Sequence, residues 1–147
     1  MKKVKMLLFG LVLISTITFV GCSKEGCTDP DSINYNADAK KDDGSCQYEG
    51  KEVFWYSQAT SDALLADGAT ALTYYVDGQV VGSSAASVYW TGAPDCDQSG
   101  SISVKKSLGS DKTKTYTYSV KDQTGFEYWS GVTNYTANTC VATQLTW

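Results

Sequence analysis

The sequence of 147 residues contains no histidine and no arginine. Without histidine, the chain cannot build a Ser-His-Asp or Cys-His catalytic system or one of the common zinc sites. Without arginine, it has no bidentate clamp for phosphate groups. These absences exclude several large classes of enzymes and of anion-binding proteins.

Positive charge is scarce beyond the first few residues. The formal net charge of the chain is −4. Because three of the 12 lysines lie among the first five residues, the formal charge of residues 22–147 is −7. An acidic surface of this kind is a poor partner for nucleic acid, and we therefore predict no nucleic-acid partner.

The first 21 residues have the layout of a signal peptide. The amino-terminal lysines precede a 15-residue apolar run at positions 6–20, whereas a membrane-spanning helix needs about 20 residues. The run ends in Phe-Val-Gly-Cys at residues 19–22, which resembles the lipobox of bacterial lipoproteins. The resemblance implies cleavage after residue 21, lipidation of Cys22 and anchoring in the cell envelope. We expect the outer membrane, and the face of the membrane stays open, with exposure on the cell surface as one alternative.

The number of cysteines agrees with that resemblance. The chain has five cysteines, and an odd number in an exported protein needs an explanation. Lipidation of Cys22 leaves four cysteines, which allow three pairings. Pairing Cys27 with Cys46 and Cys96 with Cys140 is the simplest, because each pair then lies in a region of uniform composition.

The segment at residues 22–49 is acidic and poor in large apolar side chains, with only Ile33, Tyr35 and Tyr48. Such a segment buries too little surface to fold by packing alone. We therefore predict a short stalk closed by a disulfide, placed between the signal peptide (1–21) and a β domain (51–147).

Aspartate and asparagine are dense in the same segment, and hard oxygen ligands suit Ca²⁺. The candidate calcium ligands are Asp29, Asn36, Asp42 and Asp43. The alternative is that these side chains close Asx turns and keep the segment soluble. Gly-Cys-Thr-Asp-Pro, Asn-Tyr-Asn and Asp-Asp-Gly-Ser-Cys, within residues 26–48, resemble a short cysteine-bounded module of secreted bacterial proteins. That resemblance implies a stalk or spacer, which calcium could stabilise, and no catalysis.

Residues 51–147 contain short runs of alternating polarity separated by glycine, aspartate, asparagine and serine, which is typical of strands and turns. We expect no more than a turn at 61–66. The predicted strands are residues 52–57, 71–76, 79–82, 87–90, 101–108, 113–120, 126–129, 132–135 and 141–147. The spacing of these nine runs predicts an all-β fold, an antiparallel sandwich with seven or eight of them as its strands, that is prealbumin-like or immunoglobulin-like.

Asp77-Gly78 is a strong hairpin signal, because a type I′ turn needs positive φ at both positions. The surrounding Tyr-Tyr-Val-Asp-Gly-Gln-Val-Val-Gly at 74–82 and the tyrosine-rich run at 115–120 resemble PEGA-like and carboxypeptidase-regulatory-like β-sandwich modules. This second resemblance implies a sandwich with an accessory or adhesive role.

Four pairs of adjacent aromatic residues, at 55–56, 74–75, 89–90 and 128–129, are the features most suggestive of binding. Neighbours in a strand point to opposite faces, so one ring of each pair should face outward. The candidates are Trp55, Tyr75, Trp90 and Trp129. Outward rings can stack on sugars or on a protein partner. Alternatively, they stabilise cross-strand pairs or lie beneath the loop at 58–70.

No pair of carboxylates is singled out by its spacing, so we predict no catalysis. The favoured hypothesis is a cell-envelope lipoprotein that presents a β-sandwich as an interaction module, with the membrane bound through its lipid and an envelope protein as its partner. The alternative is a carbohydrate-binding lipoprotein that captures a glycan on exposed aromatic rings.

Overall fold

A computed structural model describes residues 23–147, which form seven β-strands and one α-helix. The predicted signal peptide and Cys22 lie outside the described residues. The elements are β1 (Tyr48–Trp55), α1 (Gln58–Ala66), β2 (Ala71–Val76), β3 (Gln79–Ala85), β4 (Ile102–Gly109), β5 (Thr113–Asp122), β6 (Glu127–Thr136) and β7 (Cys140–Gln144).

The strands form two sheets. One has three strands in the order β4-β1-β7, and the other has four strands in the order β3-β2-β5-β6. Neighbouring strands are antiparallel except β1 and β7, which are parallel. The prediction of a purely antiparallel fold is wrong at this pair, because the chain crosses from one sheet to the other after β6 and enters β7 alongside β1. The fold is mostly β and is consistent with a sandwich.

The main core lies between the two sheets. The ring of Phe54 on β1 lies 5.2 Å from the ring of Tyr118 on β5 and 6.0 Å from that of Tyr74 on β2, measured between centroids. Val76 and Val120 are buried in the same cluster. Each large apolar side chain buried in this way stabilises the fold by about 1.5–3 kcal/mol, so the core holds the two sheets together.

The β2–β3 hairpin confirms the turn signal in the sequence. Asp77 and Gly78 have φ angles of 54° and 72°, the left-handed values that a type I′ turn requires. The predicted bounds of β2 also agree with the structure.

Strand β6 joins two runs that the sequence predicts as separate strands. Gly131 lies within β6 and is paired with Tyr118 of β5. A Cβ atom at position 131 would lie 3.0 Å from a ring carbon of Tyr118. This glycine therefore makes room for a ring on the adjacent strand, and the predicted break between the runs at 126–129 and 132–135 is wrong.

The structure has a helix, α1, where the sequence predicted no more than a turn at residues 61–66. It has nine residues, and its buried side chains are Thr60, Ser61 and Leu64. Ser61 donates a hydrogen bond to the carbonyl of Ala86 at 2.7 Å. Because two of the three buried side chains are polar, the helix lacks the apolar spacing from which an amphipathic helix is predicted.

The predicted strand at residues 87–90 is absent from the described structure, where residue 87 lies in a turn and residues 88–90 have no regular secondary structure. The amide of Trp90 donates to the carbonyl of Tyr56 at 3.0 Å. A single backbone contact of this kind attaches the segment to the domain without forming a ladder.

Residues 23–47, which we call the N-terminal loop, pack on the β domain. Cys27 and Cys46 are buried in a second cluster with Leu108 of β4 and Tyr135 of β6. The loop thus covers one end of the sheets and shares a small core with them.

Candidate functional site

The four predicted ligand-facing aromatics lie at three separate places. Trp55 and Trp90 line one narrow crevice. Tyr75 lies beneath Lys121, whose Nζ is 5.6 Å from the ring centroid. Trp129 belongs to a larger group of rings. The sequence therefore identified one member of that group and three rings that do not join it.

The larger group lines a cleft of about 400 Å³, which we call the aromatic cleft. Three segments that are distant in the sequence build it: the end of α1, the start of β6 with the turn before it, and the residues after β7. Its lining residues are Asp67, Phe126, Glu127, Tyr128, Trp129, Thr146 and Trp147.

Two of the rings in the cleft are strongly exposed. Phe126 exposes 59% of its surface and Trp147 exposes 62%. Burying a large apolar ring is favourable, so contiguous exposed rings indicate a surface that binds another molecule. Neither ring was among the sequence candidates, which came from adjacent aromatic pairs, and both lie outside such pairs.

The rings of the cleft are inclined to one another and do not form a flat face. The centroids of Tyr128 and Phe126 are 5.0 Å apart with an angle of 76° between the ring planes. Tyr128 and Trp147 are 5.6 Å apart at 40°, and Tyr128 and Trp129 are 5.7 Å apart at 42°. Tyr128 is thus the central ring of the group, and each of the other three rings packs against it.

Two side-chain hydrogen bonds fix the central rings. The Tyr128 hydroxyl donates to Oδ2 of Asp67 at 2.7 Å, and Trp129 Nε1 donates to the carbonyl of Thr146 at 2.8 Å. The first bond and the nearby negative charge raise the pKa of Tyr128 to about 12, because the anionic phenolate would face the Asp67 carboxylate. Tyr128 therefore stays protonated and keeps Asp67 beside the cleft.

Asp122 at the end of β5 shapes the turn that carries Phe126. Its Oδ1 accepts the backbone amides of Thr124 and Phe126 at 2.8 and 2.9 Å and the Thr124 hydroxyl at 2.7 Å. These donors stabilise the carboxylate and lower the pKa of Asp122. The turn is thereby fixed with the Phe126 ring outward.

A second cleft, of about 360 Å³, lies between the N-terminal loop and the three-stranded sheet. Its charged side chains are already paired: Lys105 lies 3.1 Å from Glu49, and Lys51 forms an ion pair with Asp97. These internal pairs leave little unbalanced charge to select a ligand, so the aromatic cleft is the stronger candidate site.

Among the candidate calcium ligands, Asp29 is committed to contacts within the protein. One oxygen lies 2.6 Å from Nζ of Lys112 and accepts the Tyr48 hydroxyl at 2.8 Å, and the other accepts the amide of Asp31 at 3.1 Å. The hydrogen bond from Lys112 is the largest cause that lowers the pKa of Asp29, to about 2. A carboxylate beside an ammonium group is a poor ligand for a divalent cation.

The other three candidates each close a turn of their own. Oδ1 of Asn36, Asp42 and Asp43 accepts the backbone amide two residues further along the chain, at 3.1, 2.8 and 2.9 Å. These are Asx turns. Within residues 23–147, no group of three or more His, Cys, Asp or Glu side chains is arranged to hold a metal ion. Calcium binding stays a prediction.

Both predicted disulfides are present, Cys27–Cys46 in the N-terminal loop and Cys96–Cys140 between the loop after β3 and the start of β7. Cys22, the predicted lipidation site, lies outside the described residues. In the part of the chain that the structure describes, no helix has the length and hydropathy to cross a membrane. No protein-family model, no curated protein and no solved structure matches this chain.

Proposed function

We propose that the chain is a non-catalytic cell-envelope lipoprotein that presents its β domain as an interaction module. Residues 1–21 direct export, and a lipid on Cys22 anchors the protein in the outer membrane with the domain exposed on the cell surface. The lipobox-like residues 19–22 and the odd fifth cysteine support this proposal. Two disulfides also suit an oxidising compartment outside the cytoplasm.

The observation that carries the interaction role is the aromatic cleft. A concave site of about 400 Å³ with exposed rings and a few polar groups has the make-up of a binding site. We further propose that the domain is a prealbumin-like or immunoglobulin-like sandwich, which the arrangement of three and four strands supports. Such a scaffold leaves its loops and strand ends free to carry a binding surface.

Glycan capture is the second candidate function. Exposed Phe126 and Trp147 favour it, because apolar sugar faces stack on aromatic rings. The rings next to Tyr128 are inclined to it by 40–76° and form no flat platform. Such a surface suits a compact side chain of a protein partner better than the flat faces of an extended sugar chain. We therefore rank a protein partner first.

Site-specific photo-crosslinking in intact cells tests the interaction role. We expect a photoreactive residue at Thr146, on the rim of the cleft, to give a discrete crosslinked product. The product should disappear in the double variant Phe126→Ala and Trp147→Ala. The same photoreactive residue at Tyr89, an exposed aromatic elsewhere, is the matched control. Equal products from both positions, or none from Thr146, would argue against a binding role for the cleft.

The anchor is tested separately by mass spectrometry and fractionation. We expect the amino-terminal peptide of the mature protein to begin with a diacylated or triacylated Cys22, and Cys22→Ala to release the protein from the envelope fraction. An unmodified Cys22 in the wild-type protein would refute lipidation.

A further inference from the structure

The aromatic cleft carries negative charge that no lysine of its own lining balances. Asp67 and Glu127 line it, and none of the lining residues is basic. Glu127 is paired with Lys121 of β5, whose Nζ lies 3.8 Å from its Oε2, whereas Asp67 forms no ion pair with any lysine of residues 23–147. A ligand that enters the cleft therefore meets a negative field, which favours a cation.

The ring geometry favours the same class of ligand. The face of an aromatic ring is negative and attracts a cation placed within about 6 Å of its centroid. The rings of Phe126 and Trp147 pack against that of Tyr128 with centroids 5.0 and 5.6 Å from its own, and both stay largely exposed, so parts of them are open to a ligand in the cleft. An ammonium group placed over one of these exposed rings would gain this attraction.

The hydrogen bonds of the cleft leave room for an ammonium donor. Tyr128 occupies Oδ2 of Asp67, and no hydrogen bond from the described residues reaches Oδ1. A bound ammonium group could therefore donate to Oδ1 while its carbon stem packs on Trp147. This combination of charge pairing and apolar contact is typical of the way lysine and arginine stems are bound.

We propose that the aromatic cleft binds a basic side chain of the protein partner, with Asp67 as the counter-charge and Phe126, Tyr128 and Trp147 as the surrounding rings. The inference rests on the proposed interaction role and names the chemistry of the group that is recognised. The acidic character of the whole chain, with a net charge of −4, assists by attracting a basic partner from a distance.

Titration with two matched probes tests the proposal. The full chain in non-ionic detergent is titrated with Nα-acetyl-lysine methylamide and with the norleucine analogue, which has the same carbon stem without the ammonium group. Binding is followed by NMR shifts of the tryptophan indole resonances. We expect the lysine probe to bind at least about fivefold more tightly than the norleucine probe, and to weaken as ionic strength rises.

Two substitutions on the same helical region separate the role of Asp67 from general charge. Asp67→Asn should reduce the affinity for the lysine probe to that for the norleucine probe. Asp62→Asn removes the same charge from an exposed position of α1 that does not line the cleft, and we expect it to change affinity by less than about twofold.

Equal affinity for the two probes, or no effect of Asp67→Asn, would overturn the proposal. A soluble oligosaccharide that shifts the cleft resonances while the lysine probe does not would overturn it in favour of glycan capture. If the Thr146 crosslink persists and the lysine probe fails, the interaction role stands and the inference about a basic side chain falls.

Discussion

At the scale of single residues, Glu52 is the buried carboxyl group of the fold. It lies on β1 with none of its surface exposed. Thr143 donates to its Oε1 at 2.7 Å, and no described group bonds Oε2. Burial raises the pKa of Glu52 above its ordinary value of 4.5, because the charged form loses its hydration.

A raised pKa in the folded state makes stability depend on pH in a defined direction. As pH rises above 4.5, the unfolded chain releases the proton of Glu52 while the folded chain keeps it. The free energy of unfolding therefore falls through this range and levels off above the pKa of the folded state. Glu52→Gln preserves the shape and cannot ionise, so its stability should lack this component. Urea denaturation at several pH values between about 4 and 8 measures both proteins.

The decisive quantity is the difference in stability between wild type and Glu52→Gln as a function of pH. We expect it to shift in favour of the variant as pH rises. Asp62→Asn, at an exposed position, serves as the control and should give a nearly constant difference. A constant difference for Glu52→Gln as well would contradict the prediction.

Gly131 is a residue whose small size is required by packing. A Cβ atom there would lie 3.0 Å from the Tyr118 ring, which itself packs on Phe54. We expect Gly131→Ala to destabilise the protein by about 1–3 kcal/mol through overpacking. Gly92→Ala is the matched control, since a Cβ at position 92 meets nothing within 4 Å. Equal stability of the two variants would show that the ring adapts without cost.

At the scale of elements, the N-terminal loop is fastened to the turn between β4 and β5 by Lys112. Its Nζ lies 2.6 Å from Asp29 and 3.4 Å from Asp31, and 5.7 Å from the ring centroid of Tyr48. We expect Lys112→Gln to increase hydrogen exchange of the amides at residues 27–33 while the core strands stay protected. Mass spectrometry of the deuterated peptides measures both regions.

The same contact should respond to acid. Because the pKa of Asp29 is lowered from 3.8 to about 2, the attraction between its carboxylate and Lys112 is complete above pH 3.8 and is lost as the pH falls through about 2.

The control for the substitution of Lys112 is Lys114→Gln, since Lys114 lies near the Tyr116 ring and makes no ion pair with the N-terminal loop. Identical exchange in the two variants would show that the second core alone holds the loop.

Elements that are determined by neighbouring residues in the sequence could be predicted, and elements that are determined by distant contacts could not. Strand alternation and the Asp77-Gly78 turn are local, and β2, its turn and the start of β5 agree with the structure. Helix α1 was missed because it buries Thr60 and Ser61, and the extent of β6 was missed because the role of Gly131 is set by a ring on another strand. Local patterns predict elements, and long-range packing decides their exceptions.

The residues of the aromatic cleft could be predicted from the sequence only in part, for the same reason. Asp67, Tyr128 and Trp147 are far apart in the sequence and meet only because α1, β6 and the segment after β7 converge. The pair Tyr128-Trp129, noted in the sequence as adjacent aromatics, lines the cleft, yet nothing in the sequence near positions 67 and 147 indicates a shared site. Exposure of a ring can be inferred from alternation, whereas a concave group of rings requires the fold.

At the scale of the whole molecule, the disulfides close loops of different size. Cys27 and Cys46 are 19 residues apart, and Cys96 and Cys140 are 44 apart. In the chain-entropy model, the first contributes about 3 kcal/mol and the second about 4 kcal/mol to the free energy of unfolding. The second disulfide also ties down the first residue of β7, Cys140. Strand β7 is parallel to β1, and Trp147 follows it in the chain.

We therefore expect Cys96→Ala with Cys140→Ala to lower the free energy of unfolding by up to about 4 kcal/mol, and also to loosen the cleft. Without its covalent tie, β7 keeps its backbone pairing with one strand, β1, at the edge of the sheet, and we expect Trp147 to shift relative to Tyr128. Denaturation measures the first effect, and tryptophan indole NMR measures the second. Cys27→Ala with Cys46→Ala should lower stability without changing the indole resonances, because that disulfide lies in the N-terminal loop. If both pairs change the resonances equally, the cleft depends on global stability and not on the attachment of β7.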